Sequence, residues 1–275
     1  MAGGTYPRAR WRLIVEEAPH PGAWNMAVDE ALVAAVANRA VPPTLRFYQW
    51  QPACLSLGKR QPLDGVDPAR CRSDGVDLVR RPTGGWAILH TDELTYSIAV
   101  PPDDPRASGP MLDAYRQLSA GLVAGLRALG VAAEMNPVSP LGTHNASAAC
   151  FEVPSAYEIT VAGQKLVGSA QARPAGRVLQ HGSLPLHGDM GRVASYLWFE
   201  GEDEREHLRT HLRARATTLA AALGHPVSFA AAAAALSAGF ATALDLDLVP
   251  GALTPDEQAV ATARSADLQV TSDHG

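Results

Sequence analysis

The chain has 275 residues, 47% of them hydrophobic and 19% charged, which is the make-up of a globular protein with room for one large domain or one domain with a small appendage. A formal net charge of −5 argues against a nucleic-acid binder working through a broad basic surface, but leaves room for a local basic pocket. Three cysteines, Cys54, Cys71 and Cys150, are too few and too scattered for a disulfide framework or a CxxC metal site.

Residues 1–11 hold no apolar signal region, and the alanine run at 230–235 is too short to span a membrane. The expectation is a cytoplasmic protein with reduced thiols. Residues 11–16 predict a strand and 24–38 a helix, with Met26, Leu32, Val33 and Val36 on its core face and Pro42-Pro43 as the stop. Strands are predicted at 44–50 and 53–57 around a Gln51-Pro52 turn. The polar stretch Gly58-Lys59-Arg60-Gln61 reads as a solvated turn or as a ligand edge. Residues 67–73 form a helical turn ending at Gly75, with Cys71 as a packed bystander.

The most informative stretch runs from 78 to 100. Arg80, Arg81, Pro82, Thr83, Gly84 and Gly85 precede strands predicted at 86–89 and 94–100. The glycine pair lets backbone amides approach a ligand, and the arginines bring fork-shaped donors suited to phosphate or carboxylate. An ordinary hairpin with a Gly-Gly turn is the other reading. Residues 108–130 predict a helix from the spacing of Leu112, Tyr115, Leu118, Leu122 and Leu126, closed by Gly130. A short strand at 131–134 and a mobile surface loop at 136–148 follow.

Strands are then expected at 150–151, 157–161, 165–171 and 178–186, with a hairpin turn at Ala162-Gly163-Gln164. From Asp189 the pattern turns helical, at 190–197, 202–223, 229–244 and 253–264. The last of these is capped by Thr254 and is followed by fraying past Leu268. There is no internal repeat, and the class is α+β.

Cys150 is either a small buried hydrophobe or a nucleophile; the second role requires a neighbour that lowers its pKa. Lys165 is the sequence-near cation, with His144, His181 and His90 as competitors. No HExxH, Walker loop or GxGxxG is present.

Arg80 to His90 resembles the arginine–glycine–histidine signature of the lipoate–protein ligase, octanoyltransferase and biotin–protein ligase superfamily. Asn25 to Leu32 resembles the opening helix of its lipoate branch. Gly163 to Gln171 is similar to the motif whose lysine contacts the acyl carbonyl, and Gln180 to Leu184 to the strand after it. Ala149 to Ser155 resembles the cysteine segment of LipM-type octanoyltransferases.

The resemblance implies mixed β-sheets flanked by helices, a biotin/lipoate protein ligase-like catalytic domain over 20–248, and a helical tail over 249–275. It implies Cys150 as the acyl-thioester nucleophile, and Lys165 as the group that lowers its pKa and contacts the acyl carbonyl. Arg80, Arg81, Thr83, Gly84, Gly85, Trp86, Ala87, His90, Gly168, Ser169, Ala170, His181 and Gly182 would bind substrate. The implied partners are octanoyl-acyl carrier protein and a lipoyl carrier, such as glycine cleavage H protein or a 2-oxoacid dehydrogenase lipoyl domain. No cofactor, metal, nucleic acid or membrane is implied. Trp86 departs from the Gly or Arg usual at its position, which weakens the nucleotide reading. An ATP-dependent lipoate or octanoate ligase, an amidotransferase between carriers, and a silent acyl-binding module are the alternatives.

Overall fold

The computed structural model describes residues 6–135 and 158–270. Cys150, His144, the 136–148 loop and the strand expected at 150–151 lie outside them. In chain order the strands are β1 (Ala9–Val15), β2 (Thr44–Tyr48), β3 (Cys54–Leu57), β4 (Asp77–Arg80), β5 (Ile88–His90), β6 (Glu93–Val100), β7 (Glu134–Met135), β8 (Ile159–Val161), β9 (Gln164–Ala172), β10 (Val178–Pro185) and β11 (Leu246–Pro250). The helices are α1 (Gly22–Ala37), α2 (Pro68–Ser73), α3 (Met111–Ala128), α4 (Glu202–Arg215), α5 (Leu219–Leu223), α6 (Phe229–Ala243) and α7 (Pro255–Leu268).

Eight strands form one sheet in the order β11-β1-β2-β6-β10-β9-β8-β7, and β4-β3-β5 form a second. The pairs β11–β1, β1–β2 and β3–β4 are parallel, and the other ladders are antiparallel. The class is α+β, as expected. Strands β6 and β10 are buried on both faces. Leu94, Tyr96 and Ile98 join the apolar core with Leu118, Leu122, Leu236 and Phe240 of α3 and α6. Thr95 and Ser97 point the other way, toward a polar layer that includes Asp29 of α1. The alternation along 94–100 therefore separates an apolar interior from a polar one, rather than core from solvent.

Helices α3 and α6 touch through glycines. A Cβ on Gly239 would sit 2.2 Å from the Gly125 backbone nitrogen and 2.5 Å from the Gly121 carbonyl oxygen.

Several expectations are corrected. The strands at 44–50 and 53–57 are not one hairpin; the Gln51-Pro52 peptide, which is cis, carries the chain from the large sheet to the small one. The strands expected at 86–89 and 94–100 likewise end in different sheets, and Gly84-Gly85 precedes β5 instead of turning between them. The helix expected over 202–223 breaks at 216–218. There the Thr217 amide donates to the Lys165 carbonyl and the Thr218 hydroxyl caps α5, a local bond that Thr offers in competition with the helix.

Strand β11 lies between the helices expected at 229–244 and 253–264, where no strand is expected. It is a short edge strand that tolerates Pro250 because its outer side needs no ladder donor. Residues past Leu268 do not fray at once, since Val270 donates from its amide to Leu78 at 2.9 Å. The tail helix α7 packs along α1. It starts in a capping box of Thr254 and Glu257, and Glu257 also takes a bidentate pair from Arg12 of β1 at 2.8 and 2.6 Å. The hairpin turn fulfils its expectation: Ala162 and Gly163 both have positive φ, as a two-residue turn between paired strands requires.

Candidate active site

A pocket of about 290 Å³ opens where the two sheets meet, near the lower end of the range typical of small-molecule sites. Tyr48 and Trp50 follow from β2, Ile88 and His90 come from β5, and Met111, Leu112 and Tyr115 close it from the first turns of α3. Another wall is the backbone of β9 and β10, where Gly168, Ala170 and Gly182 leave space, and the Gly84-Gly85 loop borders the pocket as well. A Cβ on Gly182 would meet the Gly168 carbonyl at 2.5 Å and Ser169 Oγ at 2.6 Å. Among the described residues, no strand pairs with the outer edge of β9 beyond Val167. The backbone of residues 168–171 therefore borders the pocket with no ladder partner on that side among the described residues, and the Tyr115 hydroxyl donates to the Ser169 carbonyl at 3.5 Å.

Two buried acid–histidine strings lie beneath this wall. In the first, the Asp29 carboxylate accepts from Arg46 Nη1 at 2.9 Å, the Tyr48 hydroxyl at 3.0 Å and the Ser97 hydroxyl at 2.7 Å, and lies 3.3 Å from His181 Nδ1. The other His181 nitrogen, Nε2, is 2.6 Å from Thr83 Oγ1. Burial pushes the Asp29 carboxyl up, but His181, Arg46 and Ser97 outweigh it and hold it below the usual carboxylate range. Burial pulls His181 below its ordinary value against the opposing pull of Asp29. Arg46 bears a permanent charge, so the consistent state is an ionised Asp29 facing a neutral His181. His181 then donates from Nδ1 and accepts the Thr83 proton at Nε2.

The second string joins Glu93, His90 and Ser56. His90 Nδ1 is 2.8 Å from Glu93 Oε1, and Nε2 is 2.8 Å from Ser56 Oγ. The Ser183 hydroxyl donates to Glu93 at 2.6 Å, and the Thr95 hydroxyl donates to it as well. Burial raises the Glu93 carboxyl, and the His90 charge and these hydrogen bonds more than reverse that, leaving it low. Trp50 stacks on the His90 ring with centroids 4.0 Å apart. The connectivity is that of a hydrolase triad, but Ser56 is fully buried and its Oγ also accepts from Arg81 at 3.2 Å. The string acts as scaffold for Arg81.

Arg81 in turn shapes the glycine loop. Its Nη1 donates to the Ser56 carbonyl at 2.9 Å, and its Nη2 to the carbonyls of Gly84 and Trp86, both at 2.8 Å. Arg80 donates to the carbonyls of Gly58 and Gln61, each at 2.7 Å. These contacts hold both guanidinium groups against backbone carbonyls and fix the two loops that border the pocket. Gly58 lets those loops touch, since a Cβ there would fall 1.8 Å from the Gly85 carbonyl oxygen.

Of the expected site residues, Arg81, Gly84, Gly85, His90, Gly168, Ser169, Ala170, His181 and Gly182 line the pocket. Thr83 is one hydrogen bond behind it, Trp86 lines the outer side of the glycine loop, and Ala87 is packed in the small sheet's core. Lys165 is buried outside the lining, with Nζ on Glu158 at 2.6 Å. Sequence reasoning missed Asp29, Glu93, Tyr48, Trp50 and Ser56. The available signal was a pair of acids set among apolar neighbours in a helix and a strand. Among the described residues, no cluster of His, Cys, Asp or Glu could hold a metal ion, and no helix is long and apolar enough to cross a membrane.

The sequence profile of the lipoyl protein ligase A/B catalytic domain matches residues 21–241. The chain is 44% identical to octanoyltransferase LipM of Symbiobacterium thermophilum over 256 residues, covering 90% of this chain and 91% of that one. It is 41% identical to octanoyltransferase LipM of Brevibacillus brevis, covering 92% and 93%. The fold is similar to that of the bipartite lipoate protein ligase of Thermoplasma acidophilum, with a TM-score of 0.77 and 24% identity over 94% of this chain and 92% of that one. It is also similar to lipoate-protein ligase A bound with ATP, with a TM-score of 0.73 and 24% identity over 94% and 95%.

Proposed function

This chain belongs to the lipoyl protein ligase A/B catalytic-domain family, and its activity is octanoyl transfer in lipoate biosynthesis; from that premise we propose a donor, an intermediate and an acceptor. The donor is octanoyl-acyl carrier protein, the intermediate is a thioester on Cys150, and the acceptor is the lysine of a lipoyl-carrier domain such as glycine cleavage H protein. The observation that carries the proposal is the pocket: apolar side chains on one side, and on the other a glycine-walled strand edge that no described strand covers.

The octanoyl chain lies among Trp50, Ile88, Leu112 and Tyr115, and its burial contributes about 0.8 kcal/mol per CH₂. The Cys150 thiolate attacks the donor's carbonyl carbon, forming a C–S bond. The donor's C–S bond breaks, and its sulfur leaves as a thiol after taking a proton. Backbone amides at 168–170 stabilise the negative charge on the carbonyl oxygen, and the Lys165 ammonium adds to this by swinging from Glu158 toward the pocket. The acceptor lysine then attacks the Cys150 thioester as a neutral amine; the C–N bond forms, the C–S bond breaks, and the amine proton returns to the cysteine.

A thioester-to-thioester exchange followed by a thioester-to-amide step runs downhill without ATP. The thiolate requires a reducing, cytoplasmic setting. Incubation with octanoyl-acyl carrier protein in the absence of ATP, followed by mass measurement of the intact protein, tests the proposal. A hydroxylamine-labile octanoyl adduct on Cys150 is expected, and transfer that survives Cys150→Ser would overturn the mechanism.

A further inference from the structure

The glycine loop has two sides. Gly84 and Gly85 line the acyl pocket on one and a solvent-open cleft of about 600 Å³ on the other. Lys59, Arg60 and Arg173 line that cleft, with no carboxylate among its walls. A neighbouring groove that shares Lys59, Pro82 and Pro174 with it extends past Arg80 and Arg177. Its only acids, Glu30 and Asp267, are both held by Arg264. Five cations therefore follow one track away from the pocket mouth.

This track differs from the rest of the surface. Many arginines elsewhere sit against carboxylates, such as Arg10 on Asp247, Arg39 on Asp103, Arg70 on Asp74 and Arg213 on Asp189, and those that do not, such as Arg8, Arg116 and Arg215, are not gathered along one groove. Among the described residues, none of Lys59, Arg60, Arg80, Arg173 and Arg177 makes an ion pair. Two of them have structural work, since Arg80 holds the 58–61 loop and Arg173 donates to the carbonyls of Ala107 and Gly109. Lys59 and Arg60 are exposed and Arg177 is half-buried. In a chain with a formal net charge of −5, an anionic partner is repelled overall, so the place where it can land is decided by local charge.

We propose that this track is the docking surface for the acyl donor's carrier domain, which meets it with an acidic face while its thioester arm passes the Gly84-Gly85 loop into the pocket. The inference rests on the octanoyl-transfer reading and adds the partner's chemistry to it. A small thioester without a carrier domain would not need these cations, because it carries only the acyl chain and the reacting carbonyl.

The test compares two donors in the acylation half-reaction, octanoyl-acyl carrier protein and octanoyl-N-acetylcysteamine, with Lys59→Glu, Arg60→Glu and Arg177→Glu combined. Lys59→Gln with Arg60→Gln serves as a milder variant, and thermal melting controls for folding. The expected result is a fall of tenfold or more in the second-order acylation rate with the carrier-borne donor at low salt. The fall should be smaller for the neutral variant, should shrink as salt screens the wild type, and should be under twofold with the small donor. Equal rates for wild type and variants on the carrier-borne donor would overturn the inference. So would an equal loss on both donors, which would assign the cations to the reacting end. A wild type acylated by neither donor would remove the octanoyl-transfer reading itself, and the inference with it.

Discussion

Replacing Asp29 with Asn tests the polar layer beneath the pocket. Asp29 is fully buried, and its carboxylate takes protons from Arg46, Tyr48 and Ser97 at 2.7–3.0 Å, with His181 at 3.3 Å. Asparagine keeps the shape but removes the charge and turns one acceptor into a donor, facing Arg46, which can only donate, and hydroxyls that must turn round to accept. Breaking a buried pair destabilises by roughly 3–5 kcal/mol. Arg46 retains Glu16 at 2.6 Å and the Asn25 oxygens, which favours the lower end. About 3 kcal/mol corresponds to a Tm fall of roughly 6–12 °C in a chain of this size.

The pH dependence has a definite sign. Asp29 has a lowered folded pKa, so its contribution is full above the unfolded value of about 3.9 and is lost as pH falls through the folded one. The gap between wild type and variant should therefore close in strong acid. His181 adds a separate slope: its folded pKa lies below the unfolded value of about 6.5, so stability falls as pH drops from there toward the folded value. Calorimetric melts of both proteins from pH 8 down into strong acid, as far as the folded state persists, read these effects. A Tm change under about 2 °C at pH 7 would refute the assignment of Asp29 as the anchor of the layer.

Gly58→Ala should displace the Gly84-Gly85 loop, because the added Cβ meets the Gly85 carbonyl; acylation by octanoyl donors should fall at least tenfold, while circular dichroism stays that of the wild type. Glu257→Gln should weaken the bidentate hold of Arg12 and the capping box, making α7 the first helix to exchange its amide hydrogens, with a loss of about 1–3 kcal/mol in denaturant melts. In the wild type, each CH₂ from hexanoyl to octanoyl should raise the acylation rate about fourfold if the chain is buried. Ile88→Phe, which narrows the pocket, should flatten or reverse that series; a series unaffected by the substitution would place the chain elsewhere.

Local periodicity made most elements legible. The spacing of Met26, Leu32, Val33 and Val36, and the run from Leu112 to Leu126, located α1 and α3, while Gly130, Gly163 and Thr254 marked their turns and cap. What the sequence could not reveal was partnership between sheets. Strands β2 and β3, and β5 and β6, adjoin in sequence but part at once, because Pro52 and the 91–92 corner send them to different ladders. The motifs located the glycine walls and His90, His181 and Gly182, since these residue types bear on backbone approach and proton exchange whatever the fold. Asp29 and Glu93 escaped because their meaning lies in partners tens of residues away. The loop-holding contacts of Arg80 and Arg81 were out of reach for the same reason: a guanidinium beside glycines suits backbone carbonyls as well as an anion, and only the folded loops show the carbonyls.

The most direct test of the account is the intact mass of the wild type and of Cys150→Ser after mixing with octanoyl-acyl carrier protein in the absence of ATP. The account predicts a hydroxylamine-labile octanoyl adduct on wild-type Cys150 that passes to the lysine of an added lipoyl domain and is absent from the variant. Octanoylation of the lipoyl domain that requires ATP and free octanoate, and that proceeds equally in Cys150→Ser, would contradict it.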